Sequence, residues 1–143
     1  MGETTSSPRP GESPAGPLLL SLRVAATVEA VPRARRALRR VLSEQAPGAP
    51  TDTLELLLSE LVTNAVRHSA TGRSVAVAIL RRENSIRIAV IDNESAPPAP
   101  GDGVDLFDEH GRGLLLVEAM AEEWGSYPVP EGKVVWCDVK TVE

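Results

Sequence analysis

The sequence predicts a two-layer α/β (α+β) sandwich, with a mixed, largely antiparallel sheet packed against helices, and three observations lead there. Two runs of period two, Val75, Val77, Ile79 and Ile86, Ile88, Val90, flank a tight polar turn at Glu83 and Asn84, which makes a hairpin with a shared inner face. Leu54, Leu57, Leu58, Leu61, Val62 and Ala65 recur at the spacing of a helix buried along one side. The order strand, helix, helix, strand, strand, loop, helix, strand, strand then asks for helices layered on a sheet, and no internal repeat interrupts it.

Each element follows from local chemistry. Residues 1–17 are rich in Pro, Gly and Ser and nearly devoid of apolar side chains, so they cannot offset ordering entropy and read as a disordered tail ahead of one domain at 18–143. Leu20, Leu22, Val24 and Ala26 alternate as a strand from Leu18. A first helix runs from Pro32 to Gln45, with proline early, where its missing donor costs nothing, and Val31, Ala34, Leu38 and Val41 turned inward. The second helix spans Asp52 to Ala70, and Asp52 with Glu55 three residues on suits a reciprocal cap of its first turn. After the hairpin, Asn93 to His110 loses periodicity and gathers Pro97, Pro98, Pro100, Gly101 and Gly103; a loop of this length reads as a lid. A third helix from about Gly113 to Trp124 and a hairpin of Ser126–Val129 with Val134–Thr141 complete the chain.

Bulk properties bound the function. A chain of 143 residues with net charge −5 and pI near 5.1 forms one domain with a real core and lacks the basic balance of a general nucleic-acid or membrane surface. No run approaches the eighteen or so apolar residues of a membrane span, and no apolar signal segment follows the N-terminal basic residues, so a cytoplasmic protein is expected. The single cysteine, Cys137, lies in an apolar strand pattern, which makes it a packed thiol.

Three segments carry chemistry. ELVTNAVRHS (Glu60 to Ser69) sets a carboxylate, a carboxamide and an imidazole at i, i+4 and i+8 beside the apolar stripe of the second helix. A polar row beside a core stripe is also what a solvated face looks like. VIDNES (Val90 to Ser95) ends a strand with Asp92, and GRGLLLVEAM (Gly111 to Met120) opens a helix with Gly111 and Gly113. In order and spacing these resemble the N box, the aspartate box and the last Gly-rich box of the histidine-kinase-like ATPase superfamily (GHKL, Bergerat fold). With GKVVW at Gly132 to Trp136, the resemblance is nearest to its anti-sigma factor serine kinase group, from about residue 20 to the end.

That resemblance implies ATP and magnesium as cofactors, an ATP lid between Asp92 and Gly111, and named roles. Glu60 would be the general base and Asn64 the magnesium ligand, since a hard cation that keeps its waters needs only one side-chain oxygen besides phosphate. Asp92 would accept from the adenine amine; a plain turn aspartate is the other reading. The amides of Gly111, Arg112 and Gly113 at a helix start suit phosphates. His68 is either a phosphate contact or a helix-end residue, and the Arg112 side chain either reaches phosphate or faces solvent. Two departures stand out. Asn93, Glu94, Ser95 and Ala96 replace the glycines that many relatives carry after the aspartate, and Val134 and Val135 stand where a threonine hydroxyl is often found beside it.

The first helix carries Arg33, Arg35, Arg36, Arg39 and Arg40 in an acidic chain. The cluster can contact nucleic-acid phosphates, although no interleaved aromatics or base-reading motif accompany it, or it is a solvated face or a protein interface. The resemblance implies the interface, with Arg35 and Arg39 contacting partners. It further implies a partner-switching anti-sigma factor, a homodimer that sequesters a sigma factor and phosphorylates a serine or threonine on a STAS-domain anti-anti-sigma antagonist. A non-catalytic nucleotide-dependent binding module and a DNA-binding accessory acting through the arginine helix are the alternatives.

Overall fold

The computed structural model describes residues 17–69, 72–92 and 111–141. The chain order is β1 (Leu18–Ala25), α1 (Ala30–Gln45), α2 (Thr51–His68), β2 (Ser74–Arg81), β3 (Ser85–Asp92), α3 (Gly111–Met120), β4 (Glu123–Val129) and β5 (Gly132–Lys140). The strands form one sheet in the order β1-β2-β3-β5-β4. Each pairing among the described residues is antiparallel, and the helices lie on one face, which is the expected two-layer sandwich. The predicted lid at 93–110 and the tail at 1–16 lie outside the described residues.

The main core is where the two periodicities meet. Leu54, Leu57, Leu58 and Leu61 of α2 and Ala34 and Leu38 of α1 bury against Val75, Val77, Ile79, Ile86, Ile88 and Val90. Each such large aliphatic side chain contributes roughly 1.5–3 kcal/mol relative to exposure, so this interface, more than helix propensity, holds α1 and α2 in place. Cys137 belongs to the same core, and burial, with the Asp138 charge adding, pushes its thiol up to about 12.

Three details depart from expectation. The cap at Asp52 and Glu55 does not form: α2 begins at Thr51 after Pro50 with no side-chain cap bond, because Glu55 turns its carboxylate to α1 instead. The third helix stops at Met120, four residues before the expected Trp124 end, and β4 begins at Glu123. Ala121 N–H closes the last helical bond onto Val117, whereas Glu122 N–H already donates to Asp138 of β5 at 2.7 Å, so strand pairing captures the next residues. Trp124 then packs against the main core as a strand residue opposite Cys137.

The other face of the sheet is not the simple polar side that period-two alternation suggests. Ala89, Val134 and Trp136 form a second buried cluster with Ala78, Ile91, Tyr127 and Val129 against it. Gly125 makes room for it, since a β-carbon there would sit 3.1 Å from the Trp136 ring. The Arg87 guanidinium lies 4.0 Å from the centroid of that ring and donates two hydrogen bonds to Asp138, at 2.7 and 3.0 Å. A stacked, bidentate pair of this kind satisfies both buried charges.

Candidate functional site

At the C-terminal half of α2, the helix crosses the ends of β3 and β5. The sheet register sets Asp92 directly opposite Lys133, and Val90 opposite Val135. Because side chains alternate along a strand, these four share the helix-facing side, whereas Ile91 and Val134 belong to the outer cluster. Leu61, Asn64 and Ala65 of α2 complete a solvent-open cleft with Val90, Asp92, Lys133 and Val135. It encloses about 220 Å³ of space, open solvent included.

Asp92 is only 2% exposed, and Lys133 Nζ donates to its Oδ2 at 3.0 Å from a side chain 23% exposed. A buried carboxylate beside an ammonium, with apolar walls, can recognise a flat ring bearing both donors and acceptors. Asn64, 8% exposed, presents a carboxamide into the same cleft. The structure therefore places Asn64 and Asp92 along one cleft. Glu60 lies one turn before Asn64, half-buried and outside the residues that line the cleft, and His68 lies one turn after it with Nε2 buried.

Gly111, Arg112 and Gly113 form the first turn of α3, so their backbone amides lie at a helix N-terminus, and α3 packs on α2. Free amides and the positive end of the helix dipole favour an anion there. The Arg112 side chain, and the residues Asn93, Glu94, Ser95 and Ala96 that depart from the glycine pattern, are outside what is described. Among the described residues no group of three or more His, Cys, Asp or Glu side chains gathers to hold a metal ion. A divalent cation here would need phosphate oxygens beside the Asn64 carbonyl, and the cleft's single amide fits that arrangement.

Arg35 and Arg39 occupy a different place. Arg39 donates to both carboxylate oxygens of Glu55, from Nε at 2.6 Å and Nη2 at 2.8 Å, and Arg35 Nη2 adds a bond at 3.3 Å. The Arg39 hydrogen bond, ahead of every other influence, holds the Glu55 carboxyl below its usual range and raises Arg39. Their side chains remain 44% and 54% exposed. Glu55 lies nine residues before Asn64, about 13 Å along the helix axis, so this cluster is separate from the cleft.

Sequence reasoning missed two things. Lys133 is the neighbour of Asp92, where Val134 and Val135 were weighed; only Val135 lines the cleft. Counting parity back from Val135 reaches Lys133 on the inner face, so the signal was available once β5 was extended to Gly132. The Arg87–Asp138 pair had a fainter signal, a charge at outer parity in each of two paired strands.

The chain's residues 24–138 match the histidine kinase-like ATPase domain. Two solved structures share the architecture. That of the RsbU and RsbW domains of Rv1364c from Mycobacterium tuberculosis aligns with a TM-score of 0.57 at 24% identity, over 85% of this chain and 32% of that one. The Acinetobacter baumannii histidine kinase AdeS aligns with a TM-score of 0.52 at 13% identity, over 87% and 69%. This chain thus spans about a third of the length of the first. No curated protein matches in sequence. No helix among the described residues is long and apolar enough to cross a membrane.

Proposed function

The chain belongs to the family of histidine kinase-like ATPase domains, and from that premise we propose that it binds MgATP in the Asp92 cleft and works as a partner-switching anti-sigma factor with protein serine kinase activity. The observation that carries the nucleotide part is the buried Asp92 carboxylate at the wall of a solvent-open, largely apolar cleft. Asp92 accepts from the adenine amine, Leu61, Ala65, Val90 and Val135 sandwich the ring, and the amides of Gly111 to Gly113 receive phosphate oxygens. Asn64 would hold the magnesium, which when bound neutralises charge on those oxygens.

Glu60 supplies the base. It accepts the proton of a serine or threonine hydroxyl on an antagonist while that oxygen bonds the terminal phosphorus and the bond to the ADP oxygen breaks. The segments ELVTNAVRHS, GRGLLLVEAM and GKVVW, whose pattern resembles the anti-sigma factor serine kinase group, support placing the chain among regulators that bind a sigma factor and a STAS-domain antagonist. Arg35 and Arg39 fit the partner side of this reading. Glu55 fixes their direction, and each keeps close to half its side chain exposed, so ordering them against a partner costs little.

A non-catalytic binding module is the second reading, favoured by the position of Glu60 outside the cleft lining. Incubating the protein with radiolabelled ATP and STAS-domain proteins of its host separates the two. The kinase reading expects label transfer to a serine or threonine of one of them. MgATP binding and antagonist capture without transfer would establish the second.

A further inference from the structure

We propose that Lys133 is the donor half of a two-point reader of the adenine edge, a role that rests on the nucleotide reading above and assigns a specificity residue to that site. Three observations meet at it. Lys133 is the cross-strand partner of Asp92, with Nζ 3.0 Å from Oδ2. Both side chains line one cleft whose other walls are mostly apolar, so few other polar groups compete for a base edge there. The carboxylate is fixed by burial at 2% exposure, whereas the lysine, at 23%, keeps room to adjust.

The chemistry follows from which groups can only give and which can only accept. An ionised aspartate is acceptor only and a lysine ammonium is donor only. Adenine presents a donating exocyclic amine next to an accepting ring nitrogen, N1. Guanine reverses both, with a carbonyl oxygen next to a protonated N1. An acceptor and a donor standing side by side therefore match adenine at two positions and oppose guanine at two. Rejection by mispaired polar groups in a desolvated site is far stronger than rejection by shape. A carboxylate accepts several hydrogen bonds at once and an ammonium donates three, so the Asp92–Lys133 bond persists while both address the base. Without nucleotide, the same bond satisfies the buried carboxylate, which keeps the site preorganised.

Titration calorimetry on the full chain with MgATP, MgGTP and the magnesium complex of 1-deaza-ATP, which lacks only the N1 acceptor, tests this. The unmutated protein is expected to bind ATP about ten- to hundredfold more tightly than 1-deaza-ATP, the range for a hydrogen bond to a charged group. Lys133→Met should lose about that factor toward ATP and none toward 1-deaza-ATP, and Lys133→Arg should restore most of it. Equal affinity of the unmutated protein for ATP and 1-deaza-ATP overturns the proposal and needs no variant to fold. So does a Lys133→Met loss of equal size for both ligands, which would make Lys133 a structural support of Asp92. Absence of ATP binding by the unmutated protein overturns the nucleotide reading and this inference together.

Discussion

At the N-terminal half of α2, Glu55 is held by Arg39 and Arg35 of α1, and the three charges close on one another. About 13 Å further along the same helix, Asn64 faces a carboxylate that is paired with one lysine and borders a cleft. Both regions hold an acid beside a base, and the second borders a cleft whose walls are mostly apolar. The difference teaches that charge clustering alone does not mark a small-molecule cleft. The first arrangement orients two helices and presents half-exposed arginines outward, while the second sets a carboxylate, an ammonium and a carboxamide along an open cleft.

The largest expected effect sharpens the cleft side of that contrast. Glu60→Gln keeps shape and hydrogen bonding but removes the base, so phosphotransfer to the antagonist should fall by roughly 10²–10⁴-fold while MgATP still binds. Transfer at the parental rate would make Glu60 structural.

A buried pair sets the scale for charges that serve the fold. Arg87 and Asp138 have the same bidentate geometry as Arg39 and Glu55, at 7% and 5% side-chain exposure against 54% and 13%. Asp138→Ala leaves Arg87 as a buried unpaired cation beside Trp136, and urea unfolding should show a loss of about 3–5 kcal/mol. A loss no larger than a surface substitution gives would mean that the outer face is wetter than its packing indicates.

Smaller, and confined to the α1 seam, is the effect of Arg35→Glu. Partner affinity should drop by about thirtyfold or more, the scale of an interface anchor near 2 kcal/mol, with MgATP affinity retained because the seam is remote from the cleft. A co-purification assay that retained the sigma factor and antagonist normally would remove Arg35 from the interface. The new glutamate also meets Glu55, so a slightly lower melting temperature is expected with it.

The smallest effect is a pH signature at Glu55. Its folded-state carboxyl titrates below the usual range because Arg39 donates to the charged form. A depressed folded value means stabilisation that is present above the unfolded carboxylate range and lost as pH falls through the folded value. The stability difference between the parent and Glu55→Gln, small at neutral pH, should therefore vanish in acid. A difference that grew in acid would contradict the assignment.

Much of this was legible in the residues. The apolar periods of α2, β2 and β3 predicted the sandwich because burial follows period directly, and the i, i+4 spacing of Glu60 and Asn64 set them on one stripe. Asp92 stood out at a strand end, and its role there came from the resemblance of VIDNES to the aspartate box. Register across β5 was less legible, since GKVVW contains two successive valines and an offset of one exchanges the faces; that hid Lys133. The cap at Asp52 and Glu55 failed because a local rule competed with a tertiary partner, Arg39, that only the helix pair supplies. The end of α3 was obscured by Ala121 to Trp124, which is compatible with either helix or strand until β5 offers its Asp138 carbonyl.

The central claim is that the Asp92 cleft reads adenine. Calorimetric titration of MgATP into the protein and into Asp92→Asn tests it most directly. The account predicts saturable binding to the parent, weakened at least about tenfold in the variant, because a charge-assisted bond in a buried site is lost. No binding to the parent, or equal binding to both, would contradict it.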